Sequence, residues 1–208
     1  MDRNFIEQIN SQVEFVIHEK LALVNFSAYL KRVGEAYLAR PTMESQYAGS
    51  WGALIGHCKK IFKQIESKVD VEFVNDDPYT DADQMVKDVK ANGVLKIWTG
   101  ASDKHPLWNA EENWIFRAVH DWYSHILGAG AGGHKFDARG ELNSYNRHIK
   151  IAPQAARVAL FTEIVGQISA YNVTGSFNYP QKVCKIWGVD YVNIGLIDEN
   201  EFKRNFEK

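Results

Sequence analysis

The chain has 208 residues with 45% hydrophobic and 24% charged side chains, enough for one well-cored globular unit and no more than an ordinary share of charge. A formal net charge of −2 gives no electrostatic reason to expect a nucleic-acid or anionic-membrane surface. No run approaches the roughly 18 apolar residues of a membrane span, the N-terminus does not read as a signal peptide, and Cys58 and Cys184 read as two reduced thiols. Together these features predict a cytoplasmic protein.

In chain order, Phe5 to Leu38 reads as one or two helices, with Ser27 as a candidate N-cap. From Glu44 to Val69 apolar residues (Trp51, Leu54, Ile55, Cys58, Ile61, Phe62, Ile65) recur at three and four, which predicts one long helix with a buried stripe. Val71–Val74 and Val94–Trp98 change to strand character. Between them Thr80 can cap a helix carrying Met85, Val86 and Val89 that stops at Asn92-Gly93. Asn109 with Glu112 three residues on forms a capping-box pattern opening a helix to about Leu127. Further helices are expected from about Asp137 to Lys150 and from Pro153 to about Tyr171. The residues after Gly175 are expected to wrap back onto the core before a polar terminal helix near Asp198 to Lys208. The predicted fold is therefore mainly α: a helical, bundle-like single domain over 1–208. Its helical core is 1–69 and 109–172, with a β-α-β insertion at 70–98 and a C-terminal wrap at 173–208.

Three of these helices carry the chemistry. In the first, Ile115, Phe116, Val119, Trp122, Tyr123 and Ile126 share one face, while Arg117, Asp121, Ser124 and His125 share the other, with His120 at its edge. The second face lacks Lys, Glu and Gln beyond the first turn, so it reads as inward-facing more than solvated. On the next helix Glu141 and His148 lie seven residues apart on one face. The third is apolar almost all round, which predicts burial, and Glu163 is its only carboxylate, with Gln167 one turn on. A buried carboxylate must be paired, neutralised or bound to a metal. A structural salt bridge from Arg117 is the plain alternative.

Imidazoles and carboxylates on facing helices are the ligand set of zinc, iron or manganese centres. The expected ligands are Asp121, His125, Glu141, His148 and Glu163, holding one or two divalent ions, with Arg117, His120 and Gln167 as catalytic or substrate-contacting groups. Sharper motifs fail. Gly128, Gly130 and Gly133 match GxGxxG but follow a helix where a strand is needed, and there is no GK[ST], HExxH or PCxxC. The glycines read instead as a loop bordering the site, with His134 at its rim.

Asp77-Pro78-Tyr79, His105-Pro106, Phe116–Asp121 with His125, Gly140-Glu141, His148, and Glu163 with Gly166-Gln167 occur here in a set order. That order resembles a group of uncharacterised proteins encoded by bacteriophages and related mobile elements, over about Asp77 to Gln167. The resemblance implies a phage origin and a shared site, but no particular reaction. In that group the last motif is expected to continue as Gly-Gln-Asn, and Ile168 stands here in the Asn position. The His-Asp pair also invites comparison with HD-type phosphohydrolases, with His57 upstream, but no later Asp stands in the required place. The leading expectation is a metal-dependent hydrolase of a small or phosphorylated substrate. The alternatives are a non-haem iron oxygenase and a phage binding or virion-associated protein whose polar cluster is structural. A homo-oligomer is left open.

Overall fold

The computed structural model describes residues 25–129, 135–192, 196–197 and 199–206. Helix α1 (Phe26–Ala39) is capped by Asn25, whose side chain accepts from the Ala28 amide at 3.1 Å. Ser27, the expected cap, lies one residue inside the helix. Most of the segment expected to precede it, residues 1–24, lies outside the described residues, as do residues 130–134 of the glycine loop. Helix α2 (Ala48–Glu66) follows a single 3₁₀ turn at Ser45–Tyr47, and its apolar stripe from Trp51 to Ile65 is buried as the spacing predicts.

Strands β1 (Asp70–Val74) and β2 (Val94–Trp98) pair in parallel, Asp70 opposite Val94 and Val74 opposite Trp98, with α3 (Ala82–Asn92) as the crossover. The helix ends on Gly93 as expected, but its cap is Asp81 rather than Thr80. A cap must reach the amide three residues on, and the Asp81 carboxylate accepts from Gln84 N at 2.9 Å. Thr80 instead donates its own amide to the Gln84 side chain at 2.8 Å.

Helix α4 (Ala110–Asp121) opens with the full capping box of Asn109 and Glu112. It runs into a π-helical turn at Trp122–Ile126. Helix α5 (Ala138–Ile149) is capped by Asp137, which accepts from Gly140 N at 2.8 Å. A 3₁₀ turn at Gln154–Ala156 leads into α6 (Arg157–Phe161), a second π-helical turn at Thr162–Gly166, and α7 (Gln167–Thr174). The chain then returns. Val183 forms a bridge with Met43, and Val183, Cys184 and Ile186 are fully buried. A short antiparallel pair, β3 (Val189–Asp190) with β4 (Leu196–Ile197), precedes α8 (Glu199–Phe206).

The molecule is thus mainly helical with small β elements. Its core includes Tyr37 of α1, Trp51 of α2, Tyr145 of α5 and Phe161 of α6, all fully buried. Helices α1 and α7 pack at Gly34, where a Cβ would fall 2.3 Å from the Ser169 carbonyl oxygen. Among the described residues no helix is long and apolar enough to cross a membrane.

Candidate metal centre

The π turn after α4 builds the site. Leu127 N donates to Trp122 O at 2.9 Å, the five-residue bond that defines such a turn. In a regular α-helix, at about 100° per residue, His125 would sit roughly 140° around the axis from His120. The wider π turn brings residues five apart back towards one face. The His120 and His125 rings therefore meet edge to face, centroids 5.2 Å apart. Ligand atoms of His120, Asp121 and His125 lie within 4.8 Å of one another. From the first turn of α5, Glu141 completes the group. Its Oε2 is 3.2 Å from His120 Nε2 and its Oε1 is 3.7 Å from His125 Nε2. The other nitrogen of His120, Nδ1, is 3.2 Å from Ser144 Oγ and 3.4 Å from Ser124 Oγ, and these two hydroxyls bond each other. That anchoring turns Nε2 towards the shared space, as the outer hydrogen bond of a metal-binding histidine does.

The electrostatics are those of a crowded anionic centre. Burial lowers the pKa of His120, but Glu141 and Asp121 beside it more than offset this, and the net shift is upward. Burial, with Glu141 and Asp77 nearby, pushes Asp121 up to about 6 against the pull of His120 and Arg117. Burial also raises Glu141, but His120, His125 and Arg147 outweigh it and leave Glu141 below its ordinary value. Asp121 makes no side-chain hydrogen bond to a described residue, so its charge has a reason to seek a cation.

The group forms part of the wall of a pocket of about 490 Å³, which also takes in Asp77, Tyr79, Lys96, Trp98 and Arg117. A smaller cavity of about 170 Å³ shares His120, Glu141, Ile168 and Phe177 with it and adds Glu163 and Gln167. Arg117 does not bridge to Glu163. Its Nη1 donates to the carbonyls of Trp98 and Gly100 at 2.8 and 2.7 Å.

Glu163, on the second π turn, is held by neutral donors. Its Oε1 accepts from Trp51 Nε1 at 2.7 Å and from His105 Nε2 at 3.2 Å, and its Oε2 accepts from Gln167 at 2.6 Å. His105 must be the donor, because its Nδ1 already accepts from the amides of Leu107 and Trp108 at 3.1 and 2.8 Å.

The structure therefore gathers Arg117, His120, Asp121, His125 and Glu141 at one pocket and sets Glu163 and Gln167 in the adjoining cavity. It does not bring His148 to either. That ring lies fully buried between His57 and Tyr123, 5.8 Å from each, with neither nitrogen hydrogen-bonded. Two turns of α5 from Glu141 return His148 to nearly the same angle, but roughly 10 Å further along the axis. His57 faces His148 rather than the His-Asp pair. Spacing assigns no role to five contributors: Trp51, Asp77, His105, Ser144 and Arg147. For His105 and Asp77 the motif order is the one signal. Trp51 was indistinguishable from a packing residue. No protein-family model, curated protein or solved structure matches this chain.

Proposed function

We propose that this protein is a metal-dependent enzyme, a hydrolase of a small or phosphorylated substrate, with His120, Asp121, His125 and Glu141 holding a divalent zinc, iron or manganese ion. The supporting observation is the convergence of two imidazoles and a carboxylate from one helix end to within 4.8 Å, with Glu141 against both rings. A divalent ion there would supply a water of lowered pKa and polarise the bond to be broken. Ser124 and Ser144 hold the His120 ring in place. Arg117, fixed through Nη1, is positioned on the pocket wall to receive an anionic group. Glu163, a carboxylate held by three donors, lines the adjoining cavity beside His120 and Glu141. An origin in a phage or mobile element belongs to the same reading and rests on the motif order.

Elemental analysis of protein purified without chelator or affinity metal tests this. Near-stoichiometric metal is expected, falling several-fold in His125→Ala and Glu141→Gln. No bound zinc, iron, manganese or nickel, together with no thermal shift on adding them, would leave the cluster as a structural hydrogen-bond network.

A second reading is favoured by the ligand set itself. His120, Asp121 and His125 alone, without Glu141, are two histidines and one carboxylate, a set that also suits non-haem iron oxygenases. Anaerobic loading with Fe(II) followed by oxygen separates the two readings. An absorption change coupled to oxygen uptake would favour the oxygenase.

A further inference from the structure

Exposed aromatic side chains are not scattered over this molecule. Five are exposed among the described residues (Phe73, Trp98, Phe136, Tyr171 and Phe177), and all but Phe73 line the pocket of the candidate centre. Phe177 is 59% exposed and Trp98 39%, a poor use of apolar surface unless something covers it. These rings are also held in place. Trp98 Nε1 donates to the Asn75 carbonyl at 3.0 Å, and the Arg117 guanidinium lies 5.3 Å from the ring centroid. The Gly100 backbone packs so closely that a Cβ there would fall 2.2 Å from the indole. Tyr171 and Phe177 stack on each other at 4.6 Å. Fixed flat faces bind flat ligands with little loss of side-chain entropy.

Polar groups stand among the rings. Asp77, Thr80 and Lys96 share this lining, so a ring with donors and acceptors at its edge fits better than a hydrocarbon. The charged lining is three carboxylates (Asp77, Asp121, Glu141) against Lys96 and Arg117, and one divalent ion reverses the sign of that balance. A metal-loaded pocket thus favours an anionic ligand. Its volume of about 490 Å³ lies within the roughly 300–1,000 Å³ of small-molecule sites.

We infer that the pocket takes a mononucleotide, with the base stacked on the aromatic wall of Trp98, Tyr171 and Phe177 and the phosphate directed to Arg117 and the metal centre. The phosphate's placement rests on the proposed metal-dependent reading, whereas base stacking does not.

Titration of the full-length protein with the four 5′-ribonucleoside monophosphates, ribose 5-phosphate and adenosine tests this, by tryptophan fluorescence and calorimetry. Metal content is measured on the same samples. At least one monophosphate is expected to bind about tenfold or more tighter than ribose 5-phosphate, the scale of one base stacking on an aromatic side chain. Phe177→Ala and Trp98→Leu should each remove most of that difference while leaving metal content unchanged. Arg117→Gln should weaken the monophosphate and spare adenosine. Phe177 is largely exposed, so its variant remains informative if Trp98→Leu fails to fold. Equal binding of ribose 5-phosphate and every monophosphate, binding of none, or a Phe177→Ala variant that keeps the full preference would overturn the inference. A base preference in protein without metal would uphold the stacking wall and count against the metal reading. Bound metal with no base preference would do the reverse.

Discussion

At the scale of single residues, the candidate centre places charge where the fold alone has no use for it. Asp121 is the clearest case. Its pKa, raised to about 6 by burial and by Glu141 and Asp77, means that the folded chain disfavours its ionised form. The penalty is absent below the ordinary value near 4, grows as pH rises towards 6, and is complete above that. Asp121→Asn should therefore stabilise metal-free protein by about 1–3 kcal/mol at pH 8 and by little at pH 4. The same variant should lose metal. Denaturant unfolding at both pH values checks the first expectation, and a stabilisation equal at the two would contradict it. His148 shows the opposite pH dependence. Burial, with His57 and His120 nearby, lowers its pKa to about 3, so the folded state keeps it neutral while the unfolded chain protonates near 6.5. Its contribution is intact above pH 6.5 and is lost as pH falls towards 3. His148→Leu should therefore gain on the wild type by up to about 1.4 kcal/mol per pH unit across that range. Acid titrations of the two proteins followed by circular dichroism would show the variant's midpoint at lower pH, and coincident curves would contradict this.

At the scale of elements, what the sequence made legible was periodic or punctuated. The buried stripe of α2, the capping box of α4, the stop at Gly93 and the strands flanking α3 all follow from spacing and cap chemistry. The inward position of the Asp121–His125 face was legible for the same reason, since it lacked the residues that face water. The two π turns were not. No periodicity marks an extra residue in a turn, yet that residue brings His120 from the edge of its helix into the group. Two of the three partners of Glu163 were also out of reach. His105 and Trp51 lie 58 and 112 residues away, so only the fold brings them together. Trp51→Phe removes one donor from that carboxylate and should cost about 1.5–3 kcal/mol, more than loss of packing alone, since Phe fills most of the same volume. A change in unfolding free energy below about 0.5 kcal/mol would show that the bond contributes little. Helix packing makes a further claim. Gly34→Ala puts a methyl group into the Ser169 carbonyl, and rigid backbone must separate to admit it. A loss of about 1–3 kcal/mol is expected from denaturant midpoints, and a neutral result would mean that α1 and α7 slide freely.

At the scale of the whole molecule, the centre lies where α4, α5 and the segment linking α6 to α7 meet, and β2 contributes Lys96 and Trp98 to the pocket wall. Any ion held there ties separate parts of the chain to the folded state, so metal affinity and stability are linked. Saturation to about 100 times the dissociation constant adds about 2.7 kcal/mol. For a chain of this size each kcal/mol moves the melting temperature by about 2–4 °C, which predicts a rise of roughly 5–10 °C with the cognate ion at pH 7.5. The pH dependence has a definite sign. The ion must displace a proton from His120, whose pKa is raised, and from Asp121 below about pH 6. Binding therefore weakens as pH falls, by about tenfold per unit for each proton displaced, and the melting rise should shrink steadily between pH 7.5 and 5.5. Glu141→Gln should abolish the rise at every pH because it removes the carboxylate that touches both imidazoles. Glu163→Gln should preserve it, since that carboxylate is satisfied by its own donors in the adjoining cavity. A rise lost equally in both variants would place the ion between the two cavities instead of at the His120–His125 end. A rise independent of pH would mean that His120 and Asp121 are not its ligands.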